Sequence, residues 1–226
     1  MPARANTVIT LDGPAASGKS SVAKLLAARL GLAYVSSGLL YRAATHLALT
    51  AGVDLDDEAA LLQLVDAAAL ELLPDPAGNR VLLDGEEVTH GLHTDAVDAA
   101  VSRVARQPGV RAWVKQRLRE LPGSFVIDGR DMGTAVFPHA RWKFYLTAPA
   151  AVRAIRRLGE RSAELAEVTQ SLILRDELDA RQSVPAADAV HIDTGPLTLA
   201  EVVDKVHGLV LEGWPQPEAL SERAAT

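Results

Sequence analysis

The chain of 226 residues contains no cysteine. Disulfides, zinc–thiolate centres and thiol nucleophiles are thereby excluded together, and a reducing compartment, the cytoplasm, is expected. No apolar run is long enough to span a bilayer, and the opening MPARANTVIT holds no apolar segment of signal-peptide length, so neither an anchor nor a secretion signal is expected. Positive charge is also short, with 23 basic against 29 acidic residues and a net charge of −6. General binders of nucleic acid or anionic membranes need a broad basic face, so neither partner is expected. The six histidines offer one close pair, His90 and His93, in a Gly-containing stretch without carboxylate support, which is a poor metal site. There are no internal repeats and no low-complexity tract.

What is present is 48% hydrophobic residues, enough for one substantial core or a core with a small insert. Residues 13–20 fit G-x-x-x-x-G-K-[ST] and follow the apolar run Val8, Ile9, Thr10, Leu11. In such a strand–turn–helix, the small residues Gly13, Pro14, Ala15, Ala16, Ser17 and Gly18 let backbone N–H groups converge on a polyphosphate. Lys19 reaches the outer phosphates, the Ser20 hydroxyl can hold Mg²⁺, and Ser21 completes the loop. The following helix, with Val22, Leu25, Leu26 and Leu30 at helical spacing and Gly31 as its stop, adds the positive end of its dipole. The pattern predicts a nucleoside triphosphate site.

Short apolar runs alternating with helical patterns predict an α/β fold with a parallel sheet and helices on both faces. Five strands are expected at 7–12, 32–35, 125–128, 142–146 and 190–193. Helices are expected at 20–30, 39–51, 57–69, 94–105, 108–121, 149–158, about 163–175, and 199–211. Thr198 and Glu201 form a capping box, Pro149 suits a first helical turn, and Gly52 and Gly123 are stops. Between 70 and 88 the alternation breaks into short runs joined by a Pro/Gly stretch and by Asp84-Gly85, a strong hairpin signal. The expectation is a small antiparallel insert, residues 59–98, standing beside a core made of 1–58 and 99–213, with 214–226 as a tail.

A guanine-reading switch protein needs N-K-x-D, and none of the five lysines follows an Asn; the L-S-G-G-Q signature of transporter ATPases is also missing. Instead, arginines cluster where strand ends should face the ligand. Ser37, Tyr41 and Arg42 follow the second strand, and Arg130 and Asp131 follow the third. Arg153, Arg156 and Arg157 share a helix face, and Arg175, Asp176, Asp179 and Arg181 form a further charged run. Eighteen arginines against five lysines also fit a simple preference for Arg codons, and the Arg153 face also fits a solvated one with Arg156 paired to Glu160. The charged turn directly after an apolar strand is harder to read that way. Transfer of a phosphoryl group to another phosphate needs several guanidinium groups and no strong general base, because the accepting oxygen is already anionic.

The chain resembles the bacterial cytidylate kinases, within the nucleoside monophosphate kinase group, over about residues 6–211. The resemblance rests on DGPAASGKSS at 12–21, SSGLLYRA at 36–43, VSRVARQPGVR at 101–111, DGRDMGTAVFP at 128–138, RAIRR at 153–157, RDELD at 175–179 and PAADAVHIDT at 185–194. It implies ATP-dependent phosphorylation of CMP and dCMP with Mg²⁺, a monophosphate-binding insert, and a mobile helical lid at about 158–182. It further implies a cytosine pocket of Ser102, Arg111 and Asp131, and monophosphate ligands Ser37, Arg42 and Arg130. Arg175 and Asp179 resemble residues near the sugar and phosphate, and Arg153 and Arg157 resemble lid arginines that close on the triphosphate. Lys19, Arg130, Arg153 and Arg157 are therefore the expected catalytic set, and Tyr41 joins the substrate site. One departure stands out: Gln182 occupies the place of an expected second lid arginine, with Arg181 beside it. A kinase for UMP or shikimate, or a nucleotide-dependent regulatory module, are the alternatives. A monomer is expected.

Overall fold

Alternation at every second residue sorts strand side chains onto two faces of one sheet. In β6 (Phe125–Gly129), Phe125 and Ile127 enter one core cluster and Val126 the other; in β1 (Val8–Asp12), Ile9 and Leu11 side with Val126. The computed structural model describes residues 6–75, 78–158 and 164–213. In it, α1 (Lys19–Leu30) and α8 (Leu199–Glu212) cover one face through Val22, Leu26, Val203 and Val206. The other face is covered by α2 (Gly38–Ala51), α3 (Glu58–Ala67), α4 (Asp95–Ala105) and α5 (Pro108–Arg119). Both faces of the central strands β6 and β1 are buried, as a parallel sheet under helices requires.

The parallel part runs β2 (Ala33–Ser36), β6, β1, β7 (Trp142–Thr147) and β8 (Val190–Asp193), which are the five expected strands. Among the described residues the full sheet has eight strands, in the order β5 (Glu86–Glu87), β4 (Gly78–Leu83), β3 (Leu70–Asp75), β2, β6, β1, β7 and β8. The insert therefore extends the sheet instead of standing beside it, which corrects the five-stranded expectation. β3 (Leu70–Asp75) pairs antiparallel with β2 through Tyr34 and Asp75, and the Asn79 amide completes the join. It donates to the Tyr34 carbonyl and accepts from the Ser36 N–H, both at 2.8 Å, so the edge of β2 is not left unpaired. The hairpin between β4 (Gly78–Leu83) and β5 (Glu86–Glu87) turns at Asp84 and Gly85, with φ of 50° and 86°, as that dipeptide predicts.

Helix ends follow their sequence signals closely. Thr198 and Glu201 make both bonds of the capping box, and Gly31 and Gly52 take left-handed conformations at helix ends. Pro149 lies one residue before α6 (Ala150–Leu158), its carbonyl accepting the Arg153 N–H. Helix α7 (Leu165–Asp179) runs further than expected, to the last carboxylate of RDELD. The expected tail 214–226 and part of the expected lid, 159–163, lie outside the described residues.

Candidate active site

The phosphate-binding loop leaves β1 at Gly13 with a shape that side chains resist. A Cβ at Gly13 would lie 2.2 Å from the Leu146 carbonyl oxygen at φ 151°, and Ala16 takes a left-handed φ of 57°. Gly18 precedes α1, whose first turn has neither an acidic residue nor a side-chain cap bond. Its first N–H groups are thus left to an outside anion. Lys19 folds back over the loop, donating to the Pro14 carbonyl at 3.1 Å. Ser20 Oγ donates to Asp128 Oδ2 at 2.7 Å, and Tyr34 donates to the other carboxylate oxygen at 2.8 Å. Asp128 is the penultimate residue of β6, next to β1, so the neighbouring strand supplies a carboxylate directly against the loop hydroxyl.

Beyond the loop opens a cleft of about 860 Å³, which runs from the α1 N-terminus to the insert and the end of α7. Lys19, Ser20, Ser37, Tyr41, Arg42, Ser102, Arg111, Arg130, Asp131, Arg157, Arg175 and Asp179 all line it, so segments up to 160 positions apart converge on one space. Ser37 Oγ donates to the Asp128 carbonyl at 2.7 Å. Arg111 pairs with Asp131, donates to the Ala105 carbonyl at 2.9 Å, and lies 5.6 Å from the centre of the Tyr41 ring. Three contacts thus fix one guanidinium, and through it the Asp131 carboxylate.

The arginines divide into two pairs around two carboxylates. Arg130 and Arg175 share Asp179, at 2.8 and 3.8 Å; Arg42 and Arg157 share Asp98, at 2.5 and 3.1 Å. Arg130 also donates to the Gly13 carbonyl at 2.6 Å, which ties it to the phosphate loop. Among the described residues, Arg175 Nε and Ser17 Oγ, buried at the cleft, have no hydrogen-bond partner, as befits groups that can turn to an anion.

Placement separates residues that sequence spacing groups together. Arg153 is buried away from the cleft; it donates to Ala148 O at 2.9 Å, to Ala15 O at 3.0 Å and to Asp176 at 2.6 Å, bracing the loop from behind. Arg157, one turn (about 6 Å) further along α6, reaches the cleft. Arg156 also lines it, close to Gly18, held by Thr194 Oγ1 at 2.9 Å and Thr194 O at 2.5 Å. Gln182 lines the cleft, whereas neighbouring Arg181 is exposed. The expected site set lacks Arg156, Thr194, Asp98 and Asp12; Arg156, Thr194 and Asp12 sit inside motifs quoted above, Arg156 also on the named arginine face, while Asp98 carries no local signal.

Asp12, the last residue of β1, accepts from the Met132 and Gly133 N–H groups, both at 2.8 Å. It thereby pins the turn that follows Asp131. Burial pushes its carboxyl up to about 6 despite those bonds. Burial, with Arg130 nearby, pushes the Lys19 ammonium down to about 7, and burial followed by Arg130 brings Arg175 down to about 10. Cationic groups packed against one another and away from water produce that pattern.

A phosphate loop opening a helix at the carboxyl end of a parallel sheet, with guanidinium groups facing it across one cleft, defines a phosphotransferase that acts on nucleotides. The comparisons are more particular: residues 9–212 match the family model described as Cytidylate kinase, and the chain belongs to that family. It is 60% identical to a cytidylate kinase of Thermus thermophilus over 87% of this chain and 94% of the relative. Another, from Deinococcus radiodurans, is 54% identical over 89% of this chain and 98% of the relative. Among solved structures, TT1252 from Thermus thermophilus aligns with a TM-score of 0.50 at 16% identity, covering 94% of this chain and all of that one, a likeness of fold alone.

Proposed function

We propose that this chain transfers the terminal phosphoryl group of ATP to CMP, and to dCMP, giving the diphosphates. The observation that carries the reading is that the phosphate loop and the Arg111–Asp131 pair open onto one cleft, which five further arginines also line. ATP lies with its phosphates on Gly13–Ser21. The cytosine edge, an amino donor beside two acceptors, meets Asp131, Arg111 and Ser102; uracil presents the reverse pattern and leaves buried partners unpaired. Lys19, Arg130 and Arg157 offset the charge that spreads over the phosphoryl oxygens during transfer. Arg153 keeps the loop in shape from behind, and Arg42 and Arg175 hold the acceptor phosphate.

Hard oxygen donors at Ser20 and Asp128, already 2.7 Å apart, suit Mg²⁺, which would supply charge neutralisation between the phosphates. We take residues 59–98 as the monophosphate-binding unit and about 158–182 as a lid that excludes water, in a cytoplasmic monomer. A coupled assay over CMP, dCMP, UMP, AMP and shikimate tests the function. CMP should exceed UMP in kcat/KM by about 10⁴-fold, the discrimination a hydrogen-bonding site achieves. Equal turnover of UMP removes the base-pocket assignment, and absence of CDP removes the reading altogether.

A further inference from the structure

Asp98 is assigned no part by the sequence reading, yet it sits at the junction of two arms of the cleft. Its side chain is 11% exposed, and each of its oxygens accepts from a different guanidinium: Arg42 at 2.5 Å and Arg157 at 3.1 Å. Arg42 belongs to α2, on the wall of the cleft, and Arg157 to the last turn of α6, where the lid begins. Both arginines line the cleft, and the carboxylate lies behind them. Arg42 is anchored again by the Leu92 carbonyl at 2.9 Å.

We propose that Asp98 is the positioning residue for the phosphates that meet in the cleft: by holding Arg42 and Arg157 together it aims the first at the acceptor phosphate and the second at the phosphoryl group in transfer, before the acceptor nucleotide arrives. This rests on the kinase reading above. Long arginine side chains lose rotamer freedom when they are fixed, and guanidinium groups gathered in one cleft repel one another. One carboxylate with an oxygen for each removes both obstacles, so the phosphate meets donors already in place. Position along α4 supports the assignment. Asp98 lies in the first turn, where the helix dipole favours a carboxylate, and Ser102 follows one turn later on the same face. The two are about 6 Å apart along the axis, the scale of the distance between a nucleotide's base and its phosphate. One helix face then serves both ends of the acceptor, Ser102 towards the base and Asp98 towards the phosphate.

The test compares wild type, Asp98→Asn, Arg157→Gln and the double variant in the CMP assay, with thermal melts to check folding. The expected result is a fall of about tenfold in kcat/KM for CMP in D98N, with KM for ATP within twofold of wild type. In the R157Q background the same substitution should cost only about threefold, the share that runs through Arg42, because the share that runs through Arg157 is already gone. Equal losses for both nucleotides, no loss, or full additivity with R157Q would overturn the proposal. An independent measurement needs no variant: Nε–Hε relaxation in the free wild-type protein should find Arg42 and Arg157 as ordered as buried Arg153, and free tumbling of either overturns the idea even if D98N fails to fold. Wild type that makes no CDP would instead defeat the kinase reading, which keeps the two failures distinct.

Discussion

Lys19 offers a quantitative test of the phosphate site, through the protons that ATP binding takes up. Burial and the adjacent Arg130 hold its ammonium at about 7 in the free protein, against an ordinary value of 10.5. At pH 8 about 90% of free molecules therefore carry a neutral lysine. A bound polyphosphate puts anionic oxygens around the amine and returns it towards the ordinary value, so binding at pH 8 should take up about 0.9 proton per ATP. Affinity should then weaken by up to about tenfold per unit as pH rises above 7. Isothermal calorimetry at pH 8 in two buffers of different ionisation enthalpy gives the proton count directly. An uptake below about 0.3, or an unchanged uptake in Lys19→Met, would refute the assignment of a suppressed ammonium at the phosphates. The same shift has a consequence for folding. The unfolded chain keeps its lysine proton up to about 10.5 whereas the native one gives it up from about 7, so the unfolded state binds more protons between those values. Lys19 therefore opposes folding below pH 7, and that opposition is relieved as pH rises through the window.

Asp131→Ala should raise KM for CMP by at least about 100-fold and leave ATP affinity within threefold, because it strips the base-reading carboxylate and leaves Arg111 buried without it; equal damage to both nucleotides, by steady-state kinetics, would make the residue structural. Gly13→Ala should abolish ATP binding, since the added methyl would meet the Leu146 carbonyl at 2.2 Å; near-normal nucleotide affinity by calorimetry would contradict the loop geometry. Asn79→Ala should lower unfolding free energy by about 2 kcal/mol in urea titrations, as two backbone groups on β2 lose their partners at 2.8 Å; no change would mean that the insert does not depend on the amide join.

The features legible in the sequence were those encoded within a few neighbouring residues. The phosphate loop is one contiguous octapeptide, and its strand and helix announce themselves by spacing. The five parallel strands came from apolar runs, and the Asp84-Gly85 turn and the Thr198 capping box from local backbone chemistry. The family resemblance likewise rested on contiguous motifs.

Local chemistry could not say which way a long side chain turns once the helices are packed. Arg153, Arg156 and Arg157 share one face, yet Arg153 braces the loop while the other two line the cleft, because each meets a different neighbour from far along the chain. Nor could it join the insert to the sheet: that depends on Asn79 meeting residues more than 40 positions away. Asp98 pairs across 56 and 59 positions. The sequence by itself determined the kind of chemistry, since a loop that binds polyphosphate needs only adjacent small residues and a lysine. Only the tertiary structure decided which guanidinium groups face the substrate, since that is fixed by contacts between segments whose separation along the chain carries no periodic signal.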